Sequence, residues 1–488
     1  MKKKSMKTVI SYNTLLKLSF ALSFILLLGQ PQKSVAQEVI TIQQAIEETL
    51  HNNLQIKQAK LTESLSDENL SQAKNALLPT LNGSGSFNTN FGRSLDPSTQ
   101  SFNSQKFSSF NGGVSTSVTV FQGFQKLNQI KQNKLLLDAD KTNVEKIKND
   151  LVLQVVTAYM QILYNKDFLQ AAKQQLTVAQ KQLKQQQELL DVGNKTLADL
   201  AESKSQVATA ELDVTTAENA LTISYLTLAQ LMDIPSSTKY QVKAPDVANF
   251  ENSAFIYDPE QVYTDALSFF PDIKLAGLRS EAAKKGITIA KGNYYPSLSF
   301  GAGLNSNYSS GRQRITSIQA NGFKEIGRTQ TTNEAVVTPD FTTFAENYKF
   351  KDQLTDNFGQ YVGVRLEIPI FNGFTARSSV RKAKINYQQN QTDEQLTKNN
   401  LNKVIYQAVA DLKAARSTFE SSTRTFNARK EAFSVIEQRY NVGLVNALDY
   451  STSQTNKNKA EIDMIRAKYD LLFKAKVIDY YLGKQIVF

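Results

Sequence analysis

Residues 121–124, Phe-Gln-Gly-Phe, are repeated as Phe-Asn-Gly-Phe at 371–374, a separation of 250 residues (371 − 121). The same separation relates Val192-Gly193 to Val442-Gly443. No insertion or deletion falls between these landmarks in either half. A long register that is kept without gaps indicates a tandem duplication of one architecture.

Each repeated turn is followed by an apolar stripe with the a/d spacing of a long helix. The stripe consists of Leu151, Val155, Ala158, Ile162 and Leu169 in the first half and of Leu401, Ile405, Ala408, Leu412 and Phe419 in the second. From about Phe124 to Leu190 the chain contains neither proline nor glycine. At about 1.5 Å per residue this segment predicts a helix of roughly 100 Å, which is typical of a coiled coil or a tubular assembly. Return helices are predicted for about 199–232 and 449–481.

The N-terminus has the three parts of a secretory signal peptide. A basic region with Lys2, Lys3, Lys4 and Lys7 precedes an apolar segment, Leu18 to Leu28, and Ser34-Val35-Ala36 provides a cleavage site. A membrane anchor is the alternative, but the apolar segment is too short to span a bilayer as a helix. We therefore predict a signal peptide at 1–36, a first repeat at 37–258 and a second repeat at 259–488.

Composition narrows the class of function. The formal net charge is +11, but six lysines lie in the predicted signal, so the mature chain carries +5, from 50 basic and 45 acidic residues. No basic block with interleaved aromatic residues is present, and nucleic acid is not an expected partner. The chain has no cysteine and one histidine, His51, so disulfides and a His/Cys metal site within one chain are not expected. No cofactor is predicted.

Each half also contains two segments with strand-like alternation. The opening helices, about 42–76 and 271–293, end at Pro79 and Pro296, and alternating apolar residues follow. The clearest strand runs from Val362 to Ile370, with Arg365 and Glu367 on its polar side. A soluble antiparallel sheet would show the same pattern. Because the chain carries an export signal, we favour transmembrane β-strands, with Arg365 and Glu367 facing a wet lumen.

Four strands cannot close a barrel by themselves, because small barrels need about eight. An open edge in lipid leaves backbone groups unpaired, so more than one chain must contribute strands, and three chains would supply twelve. The second hairpin is longer than the first by a Gly-, Thr- and Asn-rich stretch, roughly Tyr308 to Asp356. We predict that this stretch is an exposed loop at the extracellular end.

Together these motifs resemble those of the TolC-like outer membrane factors, the exit ducts of tripartite efflux pumps and type I secretion systems. The resemblance covers essentially the whole mature chain. It rests on the tandem halves, the Phe-x-Gly-Phe turns, and Arg-Tyr-Asn-Val-Gly at 439–443 followed by Asp449. It implies a mainly α fold in which duplicated long-helix hairpins form a periplasmic α-barrel, with four β-strands per chain pooled in a trimeric twelve-stranded barrel. It also implies a periplasmic adaptor (membrane fusion) protein and an inner-membrane pump as partners.

Three residues are candidates for a periplasmic gate. Asp199 and Asp449 each lie six residues after a reversal glycine, and in a trimer up to six carboxylates would face one lumen and favour cations. Each also follows a polar residue by three, as in a capping box, and helix capping is an equally good explanation. Tyr440 matches a family tyrosine that helps to hold the entrance shut, although a packed coiled-coil aromatic would fit the same pattern.

The chain departs from the family pattern at this gate. The family's arginine two residues after the second reversal glycine is Val445 here, and an acid expected three residues after Asp449 is Thr452. Lys195 occupies the corresponding place in the first half and is a candidate substitute for the arginine.

No catalytic constellation is present, and we interpret the chain as a passive conduit rather than an enzyme. A coiled-coil surface adhesin or structural cell-envelope protein is the alternative, because it would share the export signal and the heptads. Such a protein would not require two hairpins with an outward apolar face. A glycosidase is a further alternative, but it would need paired acids in a cleft, and the sequence shows no globular catalytic domain. The transported substrate does not follow from the sequence.

Overall fold

The computed structural model describes residues 38–96, 101–103, 106–236, 240–244 and 257–484. The predicted signal peptide at 1–36 lies outside these ranges. The helices are α1 (Ile42–Asn52), α2 (Leu54–Asn75), α3 (Gln125–Asp191), α4 (Leu197–Met232), α5 (Pro259–Phe269), α6 (Pro271–Lys291), α7 (Phe350–Asp356), α8 (Thr375–Asn441) and α9 (Ala447–Tyr481). The strands are β1 (Glu38–Ile40), β2 (Thr80–Asn90), β3 (Ser94–Asp96), β4 (Ser101–Asn103), β5 (Phe107–Gln122), β6 (Tyr240–Val242), β7 (Ser297–Ser309), β8 (Gln313–Arg328), β9 (Ala335–Asn347) and β10 (Gly359–Glu367).

The long helices confirm the predicted duplication. α3 and α8 each contain 67 residues and begin and end 250 residues apart. Each starts after a Gly-Phe pair with positive φ; Gly123 and Phe124 have φ of 54° and 58°. The predicted stripe is buried from Leu151 to Ile162 and from Leu401 to Leu412, and its last residues, Leu169 and Phe419, are partly buried. The stripe is therefore the seam along which the helices pack.

The opening helix of each half is broken, although a single helix was predicted for 42–76. Asn53 ends α1 and caps α2, because its side-chain oxygen accepts a hydrogen bond from the Gln55 amide at 2.8 Å. In the second half the break falls at Phe270, before Pro271, and the preceding segment forms a helix, α5, that was not predicted. Proline is tolerated only in the first turn of a helix, so α6 has to begin at Pro271.

Four strands form one antiparallel sheet in the order β10-β7-β5-β2. Directly opposed residues lie on the same face of a sheet, and the register places the apolar residues of all four strands together. This apolar face contains Leu81, Phe87, Phe110, Val114, Val118, Phe121, Leu298, Phe300, Ala302, Leu304, Val362, Val364 and Leu366. A bulge between Thr119 and Phe121 puts Phe121 on this face, where strict alternation from Val118 would have put Val120. β10 ends at Glu367, before the predicted Ile370, because Pro369 cannot donate a ladder bond.

Aromatic residues lie at both ends of the apolar face. At the end near the helices, the rings of Phe121 and Phe124 are 5.2 Å apart, and those of Phe371 and Phe374 are 5.5 Å apart. At the far end Tyr308 packs on Phe350 with centroids 4.9 Å apart. Ten residues separate Leu298 from Tyr308, which is about 34 Å along the strand and about 26 Å across a membrane at a tilt of ~40°. That span matches the apolar band of a membrane β-barrel, about 25 Å tall and flanked by aromatic girdles.

The predicted exposed loop at 308–356 is exposed, but it has regular structure. β8 and β9 pair as a long antiparallel ribbon, and the short helix α7 follows. Gln353 of α7 is fully buried and fixes the root of the ribbon, since it accepts a hydrogen bond from the Ser309 amide and donates to the Ser309 and Tyr348 carbonyls. The ribbon therefore leaves the sheet at a fixed point.

The helices form a wall with the same order as the sheet. α2 packs on α3, α3 packs on α6, and α6 packs on α8, so the two first-half helices are followed by the two second-half helices along the wall. The two helix reversals, at 192–196 and 442–446, are called the tip. Toward the tip, α4 packs on α3, α3 contacts α9, and α9 packs on α8. Among the described residues, no helix is both long enough and apolar enough to cross a membrane.

Candidate functional site

The chain reverses direction between α3 and α4 and again between α8 and α9, and the two reversals have the same geometry. Gly193 and Gly443 have φ of 79° and 77°, a conformation that favours glycine. After Gly193, the Asn194 amide donates to the Leu189 carbonyl at 2.8 Å. After Gly443, the Leu444 amide makes the equivalent bond at 2.9 Å. These are the closing bonds of Schellman motifs, and they fix the start of each return helix.

Asp199 belongs to a complete capping box at the start of α4. Its carboxylate accepts hydrogen bonds from the Thr196 amide at 3.1 Å and the Thr196 hydroxyl at 2.8 Å, and its own amide donates to that hydroxyl. These bonds, together with the charge of Lys195, hold the pKa of Asp199 below its ordinary value. The carboxylate stays exposed, so helix capping does not prevent it from acting on ions in solution.

Asp449 is capped differently. Its amide donates to the Asn446 side-chain oxygen at 2.8 Å, but in the described part of the chain the return bond from the Asn446 amide to the carboxylate is not formed. The prediction of two equivalent capping boxes was therefore wrong for the second half. An asparagine side chain at the N-cap satisfies the helix amide without help from the acid. Among the described residues, the Asp449 carboxylate therefore makes no capping bond at the start of α9.

Tyr440 is buried at the centre of an aromatic cluster near the tip. Its ring centroid lies 4.6 Å from that of Tyr450, which in turn lies 5.3 Å from Phe433. The ammonium group of Lys195 stands over the Tyr440 ring at 4.9 Å from its centroid. Burial raises the pKa of Tyr440, and the nearby Asp199 carboxylate adds to this shift. Two of the three predicted gate residues, Asp199 and Tyr440, are thus brought together across the two halves.

The sequence analysis missed two glutamines beside this cluster. Gln182 and Gln186 of α3 are buried next to the Tyr440 hydroxyl. Among the described residues, that hydroxyl has no hydrogen-bond partner of normal geometry, and neither do the Gln182 oxygen or either polar atom of the Gln186 amide. The signal was partial, since Ala179 and Gln186 continue the heptad of Leu151 and Ala158, whereas Gln182 lies one position away from it. Buried polar atoms without partners are costly, so the packing at the tip is weaker than in the apolar seam.

Arg365 and Glu367 lie on the sheet face opposite Val364 and Leu366, as their alternation predicts. They are paired in register with Ser299 and Ser297. Within the described ranges, no group of three or more His, Cys, Asp or Glu side chains is placed to hold a metal ion.

The ends of the two reversals are apolar and exposed. Val192, Leu197, Val442, Leu444 and Leu448 are all more than two-thirds exposed. At the shift of 250 residues, Leu444 replaces Asn194 and Leu448 replaces Ala198. The second reversal therefore presents the larger apolar surface.

A sheet with one apolar face between aromatic girdles, joined to helices of about 100 Å, defines an outer-membrane channel protein with a long periplasmic extension. Residues 45–233 and 262–484 match the family described as Outer membrane efflux protein. The chain belongs to this family.

Individual relatives are distant but similar over most of their length. The chain is 22% identical over 449 residues to the outer membrane efflux protein BepC of Brucella suis biovar 1, which covers 89% of this chain and 85% of BepC. It is 20% identical over 421 residues to the outer membrane protein TolC of Vibrio cholerae, with 85% and 84% covered. The crystal structure of the Campylobacter jejuni CmeC outer membrane channel superimposes with a TM-score of 0.71 at 17% identity, over 91% of this chain and 85% of CmeC.

Proposed function

We propose that this chain assembles as a homotrimer and acts as the passive exit duct of a tripartite efflux pump or type I secretion system. The observation that carries the proposal is an incomplete repeat of contacts between the two halves. A Cβ on Gly123 would lie 2.5 Å from the Gly292 carbonyl oxygen, so the first turn packs tightly on the second half. A Cβ on Gly373, in the same turn of the second half, would meet no atom within 4 Å.

A neighbouring copy supplies the missing contact. Gly292 ends the helix that corresponds to α2, so the equivalent partner of Gly373 is the end of α2 in the next copy. The sheet also has two open edges, because among the described strands β10 and β2 each pair with one neighbour. Pairing β10 of one copy with β2 of the next continues the sheet, and three copies give twelve strands, enough to close a barrel around a lumen.

The mass of the mature protein in detergent tests this assembly. We expect a complex of three chains, recovered from the outer-membrane fraction. A stable monomer recovered from the soluble periplasm would overturn the proposal.

The tip is proposed as the gate and as the docking surface for the adaptor protein. In a trimer, Asp199 and Asp449 place up to six carboxylates near one axis, which favours cations at the entrance. The Lys195–Tyr440 contact joins the two reversals of one copy and substitutes for the family arginine that is Val445 here. The exposed apolar residues of the tip fit an adaptor that buries them. Energy for transport then comes from the inner-membrane pump, and no catalytic step occurs in the duct.

A further inference from the structure

The β8–β9 ribbon is strongly amphipathic. Opposed residues lie on the same face, and the register gives a mainly apolar face of Ile315, Ile318, Ala320, Phe323, Val337, Pro339, Phe341 and Ala345, with Thr343 among them. The same face becomes charged toward the turn of the ribbon, where Glu325 lies opposite Val337 and Arg328 lies opposite Ala335. Arg314, Gln319, Lys324, Asp340 and Glu346 lie on the other face, with Phe344 and Val336 as its apolar members. Two bulges, at Thr316 and Asn321, keep the apolar side chains in phase, and a third, at Ile326, lies beyond them. Two register corrections that serve one face indicate that this face has a use.

Nothing in the described part of the chain covers the apolar face. Phe323 is 72% exposed, Ile318 is 61% exposed and Phe341 is 57% exposed. A two-stranded ribbon is at best marginally stable by itself in water. The apolar face therefore needs a partner.

Membrane lipid does not fit as this partner. The ribbon begins at Gln313, beyond the aromatic girdle at Tyr308 that ends the apolar band of the sheet, so the hydrocarbon layer does not reach it. Residues 313–347 contain three basic and four acidic residues, a net charge of −1. Anionic lipid headgroups select clusters of lysine and arginine, and the ribbon has no such excess.

We propose that the apolar face packs against the same face of the ribbons in the neighbouring copies, so that three ribbons meet above the extracellular mouth. This inference rests on the trimer proposed above. A twelve-stranded barrel with strands ~4.8 Å apart and tilted by ~40° has a diameter of about 24 Å. A strand of 13 residues, the length of β9, spans roughly 43 Å, so the ribbons are long enough to meet over the axis. Gln353 holds the root of each ribbon. A threefold axis relates the three ribbons, so the same face of each ribbon is turned toward the axis.

Cysteine cross-linking tests the contact, and the absence of native cysteine makes the labelling specific. Phe323→Cys places the thiol on the apolar face, and Lys324→Cys is a matched control on the polar face of the same strand. A short bis-maleimide applied to the purified trimer should give several-fold more covalent dimer and trimer with F323C than with K324C. Phe341→Cys, on the opposite strand, is a second probe of the same face if F323C folds poorly.

Equal cross-linking of both faces, or none from F323C and F341C in an intact trimer, would overturn the ribbon contact while leaving the trimer in place. Thiols on the apolar face that are inaccessible to maleimide in cells but not cross-linked would also overturn it, because another occupant would then cover the face. Loss of the trimer itself in the cysteine-free protein would instead contradict the proposed function.

Discussion

At the scale of single residues, the proposed gate depends on positions at which the two halves differ. A shift of 250 residues relates Lys195 to Val445 and Leu190 to Tyr440. The cation and the aromatic ring that meet at the tip therefore have no counterparts in the other half. Each copy has one Lys195–Tyr440 contact rather than two, and a trimer has three.

Replacing Lys195 with methionine tests this contact. K195M keeps the apolar stem and removes the charge over the Tyr440 ring, and such a contact contributes about 0.5–1 kcal/mol when partly exposed. We expect the open state to gain roughly two- to fivefold per copy relative to the closed state, seen as a higher single-channel conductance. Lys181→Met changes an exposed lysine of α3 and should leave the conductance unchanged. Equal conductance of K195M and the unmodified channel would contradict the proposal that the Lys195–Tyr440 contact stabilises the closed state.

The acids at the tip are tested with a double variant. Asp199→Asn with Asp449→Asn removes six charges from a trimer, and we expect reduced cation selectivity in single-channel recording. Thr196→Ala is the control for capping, because it breaks the box at Asp199 but keeps the charge and typically costs about 1 kcal/mol. A lowered melting temperature with unaltered selectivity in the double variant would leave these acids as helix caps alone.

The pH dependence of the tip follows from the lowered pKa of Asp199. A carboxyl group whose pKa is lower in the folded state adds stability above its unfolded pKa of about 3.9. This contribution is lost as the pH falls through the lower folded value. Protection of the α4 amides from hydrogen exchange should therefore decrease below about pH 4, and this acid-dependent step should be absent in D199N.

At the scale of elements, the two long helices and their return helices could be predicted from the sequence almost to the residue, and the β8–β9 ribbon could not. The stripe of α3 and α8 keeps the a/d spacing and no proline or glycine interrupts either helix, so both helices were evident. In β8 each bulge shifts the alternation by one residue, and Ile315, Ile318 and Phe323 lose the period of two that marks a strand. At the tip, Asp199 and Tyr440 were identified from motifs. Gln182 and Gln186 were not, because polar residues on an apolar seam look like surface positions until the packing is known.

The strand register makes a depth-dependent prediction. Val362 is paired with Ala302, near the middle of the apolar band, whereas Leu366 is paired with Leu298 at its helix-side end. Val362→Arg should destabilise the assembly by about 2–4 kcal/mol and Leu366→Arg by about 0–1 kcal/mol. Arg365→Gln, on the opposite face, should leave assembly unchanged. Unfolding in detergent or lipid vesicles measures all three, and equal costs for V362R and L366R would contradict the register.

At the scale of the whole molecule, a pair of first-half helices lies beside the equivalent pair of second-half helices in the wall, so each copy approximates two units of a sixfold ring. The approximation fails at the tip, where only the second reversal has Leu444 and Leu448. A docked adaptor therefore meets two kinds of site around the ring, and the more apolar kind belongs to α8 and α9.

This asymmetry is testable with one matched pair. Leu444→Asp puts a charge on the exposed apolar tip of the second reversal, and Asn194→Asp puts the same charge at the equivalent place in the first. We expect L444D to reduce export by intact cells more strongly than N194D, with both proteins still trimeric in detergent. Equal export by the two variants would argue that the adaptor does not use this apolar surface.

The equal length of α3 and α8 constrains how this protein can change. A segment added to one helix alone would push one reversal beyond the other, separate Lys195 from Tyr440, and leave the end of the tube uneven. Insertions that add whole turns are tolerated only when both halves receive them. The distance that the duct bridges between two membranes can therefore be altered only by paired changes about 250 residues apart.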